Sequence, residues 1–410
     1  MICPFLRPFF LDERQVALAR RVGEAVARLG ERVAQCADVP EVLDVLAVTE
    51  AERALVAIDA GPGPASTASR LDAFVFDDRL VCAEYNAESP AGLGYAERLG
   101  EAFLGLDVTA RFREVFDVSP PRLMRPMLET LLETYREWGG TASPPVVAIV
   151  DFGGVPTWAE FEMLQGVFTG AGVPTVVCDP TELEFDGRTL TAQGRSIDLV
   201  YRRVLVGDVV DRPDECRALV DAVKARAVCM ANAFRCKLPH KKSFFALLTD
   251  ERFAPLFGRA DLEAVAGAVP WTRLLREGTT TRDGQTIDLV PYVRAHREAL
   301  VIKPNDEYGG SGVLLGWEAD ERAWDERIET ALAGTDGAWV VQARIDVRRE
   351  PFPRFGADGT RMQEMLVDCA PYLFRGRLTG FLTRLSATGL ANVTSGGGQV
   401  PAFVVRQRSV

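Results

Sequence analysis

The sequence predicts a mixed α/β protein in which a parallel α/β region is followed by a region of antiparallel sheets. After residue 145, buried apolar strands alternate with a helix, and this β-α-β order is typical of a parallel sheet. From about residue 230 onward, apolar runs and loops alternate in antiparallel strand-loop-strand units. Three regions are therefore predicted: a helical and β region on the substrate side (1–145), a parallel α/β region (146–230) and a third region (231–410).

The first region is predicted to contain two helices with a β-hairpin between them. Apolar residues at helical spacing predict amphipathic helices within 12–35 and within 122–138. Two short strands are predicted on either side of a turn at Asp77 and Asp78, and a polar loop follows them. The segment TASPP at 141–145 is the predicted boundary with the parallel region.

In the second region the strands VVAIVDFGG, VPTVVCD and SIDLVYRRVL are predicted, with a helix between the first two. Ligands of open α/β sheets bind at the carboxyl ends of the strands. Asp151 and the turn at Gly153 and Gly154 are predicted to lie at such an end. Arg202 and Arg203 are carried by the third strand, SIDLVYRRVL.

The composition narrows the class of protein. A net charge of −11 and the absence of a basic run argue against a general nucleic-acid binder, which needs a clustered basic surface. No segment has the roughly 20 consecutive apolar residues that a membrane helix requires. The opening MICPFLRPFFLDER is too short and too interrupted in its apolar part to predict a signal peptide. We therefore expect a soluble, cytoplasmic protein without nucleic-acid or membrane partners.

Cysteine and histidine usage points away from several kinds of site. The eight cysteines form no C-x-x-C pair, so reduced and mostly buried thiols are expected. The chain has only two histidines, His240 and His296, and neither lies in a motif for nucleophilic or zinc chemistry. The chemistry is therefore expected to depend on carboxylates, lysines, arginines and an external metal.

One segment, VIKPNDEYGGSGVLLGWE at 301–318, predicts a strand, a glycine-rich loop and a second strand. No G-x-x-x-x-G-K-[ST] or G-x-G-x-x-G motif is present. Lys303 nevertheless ends the first strand, and Gly309-Gly310-Ser311-Gly312 follows it. The backbone N–H groups of such a loop can cover phosphates while the lysine neutralises them. A plain glycine hairpin with a surface lysine is the competing interpretation.

Further motifs accompany this segment in a fixed order. They are AEYNAESPAG (83–92), ANAFRCKLPHKKSFFALLTD (231–250), AWVVQARIDV (338–347), QEMLVDCAPYLF (363–374) and GFLTRLSATGLANVTSGGGQVP (380–401). Together they resemble an ATP-grasp ligase, and more narrowly the circularly permuted ATP-grasp proteins related to glutathionylspermidine synthase. The resemblance covers roughly residues 70–405. It implies a pre-ATP-grasp α/β region followed by an ATP-grasp fold with antiparallel sheets.

The resemblance also implies a set of ATP-binding residues. Lys242 would be the first ATP lysine, with Lys241 as the neighbour with which it can be confused, and Lys303 would be the second. The remaining residues would be the phosphate-covering loop Gly309, Gly310, Ser311 and Gly312, and the adenine hinge Gln342, Ala343, Arg344 and Ile345.

The resemblance places Mg²⁺ on Asp368 and Asn392, with Arg384 facing the transferred phosphoryl group; Arg384 and Lys303 are thus the expected catalytic residues. The chain departs from the family at Leu390, where many ATP-grasp enzymes have a glutamate. Mg²⁺ favours carboxylates, so Glu364 is a candidate additional ligand. Alternatively, Asp368 and Arg384 form a structural ion pair and Asn392 is a turn residue.

Substrate binding is assigned to the amino-terminal half. Glu84, Asn86 and Glu88 lie in a predicted loop whose charge suits a cationic amino group. Arg202 and Arg203 are candidates for bidentate binding of a carboxylate. A solvated loop and surface arginines are the competing interpretation of these residues.

These observations predict an ATP- and Mg²⁺-dependent ligase that joins a small carboxylate, such as an amino acid, to an amine. The carboxylate would be activated as an acyl phosphate, with release of ADP and phosphate. Lysines, arginine and metal can perform this chemistry without histidine. Three alternatives remain: transfer to a carrier-protein thiol, nucleotide binding without turnover, and phosphoryl transfer to water or a sugar hydroxyl.

Overall fold

The computed structural model describes residues 3–307, 309–335, 337–356, 359–389 and 397–408. Over these ranges the chain has a mixed α/β fold with parallel and antiparallel sheets. The helices are α1 (Glu13–Ala34), α2 (Pro40–Val45), α3 (Glu50–Val56), α4 (Leu93–Leu104), α5 (Asp107–Phe112), α6 (Met124–Trp138), α7 (Trp158–Gly170), α8 (Val206–Asp211), α9 (Arg217–Lys224), α10 (Lys237–His240), α11 (Phe244–Leu248), α12 (Arg259–Val265), α13 (Leu289–Ala295) and α14 (Glu321–Ala333).

Strands occur in both halves of the described chain. Those of the first half are β1 (Phe9–Leu11), β2 (Ala68–Val75), β3 (Leu80–Asn86), β4 (Phe116–Ser119), β5 (Val147–Val150), β6 (Thr175–Cys178), β7 (Leu183–Phe185), β8 (Leu190–Ala192), β9 (Arg195–Ser196), β10 (Leu199–Arg202) and β11 (Cys229–Ala231). Those of the second half are β12 (Thr272–Leu274), β13 (Thr279–Arg282), β14 (Gln285–Asp288), β15 (Leu300–Pro304), β16 (Leu314–Leu315), β17 (Trp339–Ala343), β18 (Arg349–Gly356), β19 (Gly359–Phe374), β20 (Arg377–Ser386), β21 (Gly398–Val400) and β22 (Ala402–Gln407).

The predicted parallel sheet is confirmed. Its strand order is β11-β10-β5-β6, and all neighbouring strands are parallel. Alternate residues of β5 enter two different cores: Val147 and Ile149 pack with α6 and α7, whereas Ala148 and Val150 pack with α8 and α9. Because helices cover both faces, these strands are apolar throughout rather than alternating.

A six-stranded antiparallel sheet contains two strands from the first part of the chain and four from the last part. Its order is β21-β20-β19-β2-β3, and β18 also pairs with β19. The predicted hairpin around Asp77 and Asp78 is confirmed as β2 and β3. It is held in this sheet by the pairing of Tyr372, Leu373 and Phe374 with β2. The sheet therefore combines strands from the first and the third predicted regions.

A second antiparallel sheet has the order β12-β17-β15-β16. It confirms that the 301–318 segment forms a strand, a loop and a strand, since β15 and β16 pair antiparallel. Its outer face is covered by α13 and α14, where the buried Trp324 and Ile328 pack on Ile302 and Val341. Its opposite face carries Lys303 and contributes to the candidate site.

Helix α1 confirms the amphipathic helix predicted within 12–35. It begins with a capping box, in which Asp12 accepts from the N–H of Gln15 and the Gln15 side chain accepts from the N–H of Asp12. Its buried stripe, including Val22, Val26 and Leu29, packs on the core that lies between α1 and the six-stranded sheet. Helix α6 likewise confirms the prediction within 122–138.

In the described part of the chain, no helix has both the length and the apolar character needed to span a membrane.

Candidate functional site

A cavity of about 300 Å³ lies between the two antiparallel sheets. One wall comes from β15 and β17, and the opposite wall comes from β2, β3, β19 and β20. Part of the lining is apolar and part is charged. The apolar side chains are Phe74, Val301, Val313, Leu315, Trp317, Ile345, Val347 and Leu366, and the charged ones are Asp72, Glu84, Lys303, Glu318, Arg344, Arg349, Asp368 and Arg384.

Lys303 lies at the carboxyl end of β15 and is held by the neighbouring strands. Its Nζ donates to Oε1 of Gln342 at 2.7 Å and to the carbonyl of Ala83 at 3.3 Å. Burial lowers the pKa of Lys303 to about 8, and the nearby Lys242 acts in the same direction against the attraction of Glu84. A buried ammonium with these neutral acceptors still has capacity to bind an anion in the cavity.

The glycine loop borders the same cavity through Gly309 and Gly310. Gly309, Gly310 and Gly312 have positive φ angles of 67°, 76° and 71°, which side chains other than glycine rarely adopt. At Gly312 a Cβ atom would also lie 2.7 Å from Cγ of Pro304. Ser311 and Gly312 do not line the cavity, so only the first half of the loop faces it in this structure.

The predicted adenine hinge, Gln342 to Ile345, lines the cavity at the end of β17. Two of its backbone N–H groups are already bonded: Ala343 donates to the carbonyl of Trp271 at 2.8 Å, and Arg344 donates to that of Ala299 at 2.9 Å. The Gln342 side chain bridges Lys303 and Thr272. An adenine ring bound here would therefore have to be held by the remaining backbone groups and by apolar contacts.

The structure distinguishes the two adjacent lysines after α10. The Nζ of Lys242 lies 3.3 Å from Oε2 of Glu84, which lines the cavity, and donates to the carbonyl of Glu307. Lys241 is buried and donates to Glu52 at 2.7 Å and to Asp306 at 2.9 Å. Lys242 is thus next to a carboxylate that lines the cavity, whereas Lys241 is engaged in a buried cluster; the assignment of Lys242 as an ATP lysine stays a prediction.

Asp368 and Arg384 meet at the charged end of the cavity, together with two residues that the sequence did not single out. Nε of Arg384 donates to Asp368 at 2.6 Å, and its terminal nitrogen donates to Asp72, also at 2.6 Å. Arg70 makes a bidentate pair with Asp72 at 2.6 and 3.2 Å. The ion pair between Asp368 and Arg384, which was the alternative interpretation, is therefore present.

Because of these contacts, the pKa values of Asp368 and Asp72 are shifted in opposite directions. Burial raises the pKa of Asp368 to about 6 against the attraction of Arg384. Asp72 is equally buried, but Arg384 and Arg70 together hold its pKa well below the usual range. Both carboxylates line the cavity, and only Asp72 is held by two guanidinium groups.

The predicted metal ligands, Asp368 and Asn392, stay a prediction. Asn392 and Leu390 lie outside the described residues, and Glu364 is exposed away from the cavity. Asp368 is occupied by Arg384 and by the backbone N–H of Ala73 at 3.2 Å. Within the described ranges, no three acidic, histidine or cysteine side chains are grouped as a metal site.

Strands β2 and β3 carry other oxygen-bearing side chains that could bind a metal ion. Glu84 is the cross-strand partner of Asp72, and both side chains line the cavity. Asn86 follows on the same face of the strand, with its amide 3.4 Å from Glu84. Carboxylate and amide oxygens of this kind are the ligands that Mg²⁺ prefers. If the site holds Mg²⁺, Glu84 and Asp72, which line the cavity, are better placed than Glu364, although Asp72 would have to give up bonds to Arg70 and Arg384.

The predicted loop containing Glu84, Asn86 and Glu88 needs correction. Glu84 and Asn86 belong to β3, because this segment pairs along its length with β2. Glu88 is fully buried, where it accepts from Arg202 at 3.2 Å and from Lys237 at 3.4 Å. Arg202 is equally buried, so both residues are internal partners and neither is a solvated surface group.

Arg203 and Asp151 lie together at the carboxyl ends of β10 and β5. Arg203 donates to the carbonyl of Pro90 at 2.9 Å and to the hydroxyl of Tyr201 at 3.0 Å, while its buried Nε has no partner among the described residues. Burial raises the pKa of Asp151 to about 6, opposed by the charge of Arg203. Neither residue lines the cavity between the antiparallel sheets.

The sequence contained a signal for Asp72 and Arg70. In the apolar run around β2 these two charged residues stand two positions apart, a spacing that places both on one face of a strand. Trp317 carried no such signal, because a single aromatic after β16 is unremarkable. Its ring lies under the guanidinium of Arg344, 4.5 Å from the ring centre, and forms part of the apolar wall.

A comparison with solved structures identifies the fold. The apo structure of a glutathione synthetase-like effector, GSS30 from Globodera pallida, superposes with a TM-score of 0.61 and 14% sequence identity. The match covers 98% of this chain and 90% of that chain. This chain has the fold of a glutathione synthetase-like protein. At this level of identity, the glutathione synthetase-like fold is all that the comparison establishes.

Two weaker similarities accompany this match. A candidate γ-glutamylcysteine synthetase from Methylobacillus flagellatus KT aligns with 90% of this chain over 83% of its own length. The sequence identity is 12% and the TM-score is 0.42. A candidate glutamate–cysteine ligase 2-2 from Frankia casuarinae is 27% identical over 122 residues. That alignment spans 28% of this chain and 14% of the relative. No family model matches the chain.

Proposed function

We propose that this protein is an ATP-dependent carboxylate–amine ligase. The observation that carries the proposal is a cavity that joins an apolar slot at the end of β17 to a charged end bordered by the glycine loop. A purine base suits the slot, and a polyphosphate suits the end that holds Lys303 and Arg384. The fold shared with the glutathione synthetase-like effector and the 122-residue similarity to a candidate glutamate–cysteine ligase support the same reaction class.

In this proposal Lys303 and Lys242 neutralise the phosphates of ATP. Lys303 lines the cavity from β15, and Lys242, in the segment after α10, pairs with Glu84, which also lines the cavity. Gly309 and Gly310 supply backbone N–H groups over the same space. Arg384 lies at the far charged end and would stabilise the charge on the phosphoryl group as it is transferred.

Mg²⁺ would neutralise phosphate charge at this end when bound. Asp72 and Glu84 face the cavity from neighbouring strands, and Asn86 adds an amide beside Glu84. Asp72 and Asp368 could bind the ion only by giving up their bonds to Arg384, and Asp72 also its pair with Arg70. The position of β2 and β3, which lie in one sheet with β19 and β20, also agrees with the proposed circular permutation.

The reaction would proceed in two displacements. An oxygen of the substrate carboxylate attacks the γ-phosphorus, and the bond from that phosphorus to the bridging oxygen breaks to release ADP. The amine then attacks the carbonyl carbon of the acyl phosphate, loses a proton and expels inorganic phosphate. Positioning and charge neutralisation provide the catalysis, since no cysteine or histidine lines the cavity as a nucleophile in the part of the chain described.

Nucleotide binding without turnover is the second candidate. The observation that favours it is the position of Arg384 between Asp368 and Asp72, which leaves both carboxylates paired with an arginine. In that case the cavity would bind ATP but would not release ADP in response to any carboxylate.

Hydroxylamine trapping separates the two candidates. Purified protein is incubated with ATP, Mg²⁺ and hydroxylamine against a panel of amino acids and other small carboxylates. The ligase is expected to form a hydroxamate and equimolar ADP with at least one acid, because hydroxylamine intercepts the acyl phosphate. Release of AMP and pyrophosphate, or no labelled oxygen passing from acid to phosphate, would exclude an acyl phosphate. Saturable ATP binding without any ADP release would favour the second candidate.

A further inference from the structure

A cluster of buried charges beside the glycine loop has no role in the proposed reaction. It consists of Lys237, Lys241, Glu52, Glu88 and Asp306, and we refer to it as the anchor cluster. The side chains of Lys237 and Lys241 are only 3% and 4% exposed. Burying an ammonium group lowers the stability of the folded protein unless the group is paired and hydrogen-bonded. Each contact in this cluster is therefore expected to contribute to folding stability.

Asp306 is the member of the anchor cluster that belongs to the nucleotide loop. It follows Lys303 and precedes Gly309 in the segment between β15 and β16. Its two carboxylate oxygens are divided between the lysines: Oδ1 accepts from Lys237 at 2.7 Å, and Oδ2 accepts from Lys241 at 2.9 Å. With 30% of its side chain exposed, Asp306 lies at the open edge of an otherwise buried cluster.

The other two carboxylates do not replace Asp306. Glu88 is shared with Arg202, to which it is bonded at 3.2 Å, and it reaches Lys237 only at 3.4 Å. Glu52 bonds Lys241 at 2.7 Å and lies 3.9 Å from Lys237. Burial alone would raise the pKa of Asp306, but the two ammonium groups outweigh burial and hold its pKa well below the usual range. Loss of Asp306 would leave an excess of buried positive charge.

The backbone around Asp306 is fixed as well. Asn305 donates its N–H to the carbonyl of Ala338 at 2.8 Å and accepts from the N–H of Lys242 at 2.9 Å. Its side chain accepts from the N–H of Ser243 at 2.8 Å and donates to the carbonyl of Leu46 at 2.9 Å. Asn305 and Asp306, the base of the glycine loop, are therefore bonded to the segment that contains Lys241, Lys242 and Ser243.

We propose that Asp306 is a positioning residue that fixes the base of the glycine loop to Lys237 and Lys241. Movement of the loop on nucleotide binding is then confined to the residues after Asp306, where the positive φ angles of Gly309 and Gly310 allow it. Lys303 and Lys242 keep their orientation throughout. The inference rests on the proposed binding of ATP, but its structural part holds in the protein without nucleotide.

The test compares Asp306→Asn with the wild type and with Asp283→Asn. The first substitution keeps the shape and removes the charge. The second makes the same change at an aspartate with a 93% exposed side chain, 3.7 Å from Arg282. Amide hydrogen exchange is measured without nucleotide, and the dissociation constant of a nonhydrolysable ATP analogue is measured in parallel, together with the thermal midpoint.

Asp306→Asn is expected to accelerate exchange of the Asn305 and Lys242 amides and to weaken binding of the analogue about tenfold. Asp283→Asn is expected to change neither. Unaltered exchange and affinity in Asp306→Asn would overturn the proposal, as would a lower thermal midpoint with no local change in exchange. If the wild type does not bind the analogue, the proposed function fails, and the exchange comparison still decides whether Asp306 fixes the loop base.

Discussion

Asp368 and Arg384 are cross-strand partners on β19 and β20, and Nε of Arg384 donates to the Asp368 carboxylate at 2.6 Å. The same guanidinium reaches Asp72 on the neighbouring strand β2. Two carboxylates of the cavity thus share one arginine, and Asp72 has a second arginine in Arg70. This arrangement determines which substitutions are informative about metal binding.

Substitution of Asp72 is expected to affect Mg²⁺ more than substitution of Asp368. Asp72 and its cross-strand partner Glu84 offer one ion two adjacent carboxylates, even though Asp72 also pairs with Arg70 and Arg384. Asp368 has Arg384 and the backbone N–H of Ala73 as its partners. We expect Asp72→Asn to raise the Mg²⁺ concentration for half-maximal ADP release at least about tenfold. Asp368→Asn is the matched comparison, and circular dichroism checks that both proteins fold. A larger effect of Asp368→Asn would instead favour Asp368 as the metal ligand, as the sequence predicted.

The affinity for ATP is expected to fall as pH rises through about 8, the pKa of Lys303 in the unliganded protein. The protonated ammonium attracts phosphate, so it contributes below that pH and is lost above it. If one proton is linked to binding, the affinity for ATP falls by at most about tenfold for each pH unit. Titration of a nonhydrolysable analogue between pH 7 and 10 measures the slope. Lys303→Met is expected to bind at least about tenfold more weakly at pH 7 and to flatten the dependence; an unchanged slope in that variant would remove Lys303 from the phosphate site.

Residues 309–312 are expected to become protected from hydrogen exchange when ATP binds. Three glycines with positive φ allow the backbone to close over phosphates, and the lost freedom is offset by the new contacts. Exchange measured with and without the nonhydrolysable analogue checks this, with β5 in the parallel sheet as an internal reference. Equal protection in both states would mean that the loop does not take part in binding.

Glu88→Gln is expected to destabilise the protein rather than to change substrate affinity. It leaves Arg202 and Lys237 buried with less negative charge, and breaking such a pair costs about 3–5 kcal/mol of unfolding free energy. Glu101→Gln removes the exposed partner of Arg98 and is expected to cost less than about 1 kcal/mol. Denaturant unfolding compares the two. If both variants are equally stable and only Glu88→Gln impairs turnover, Glu88 belongs to the substrate site after all.

The sequence by itself determined the elements that depend on local pattern. Helix α1 follows from apolar residues at helical spacing behind a capping box, and the β5-α7-β6 unit follows from apolar runs separated by an amphipathic segment. The strand ending in Lys303 and the glycine loop after it were also predictable, because both lie within one short segment. Such features need no information from distant parts of the chain.

Only the tertiary structure decided which side chains share the cavity. The pairing of β2 with β19 places Asp72 beside Arg384, and no local period specifies which distant strands pair. The direction of the chain after α10 decided that Lys242 pairs with Glu84 and that Lys241 belongs to the anchor cluster. The burial of Glu88 likewise depends on its bonds to Arg202, Val206 and Lys237, which are distant from it in the sequence. A local sequence pattern specifies the face of an element that is buried, but the neighbours of that face are set by long-range packing.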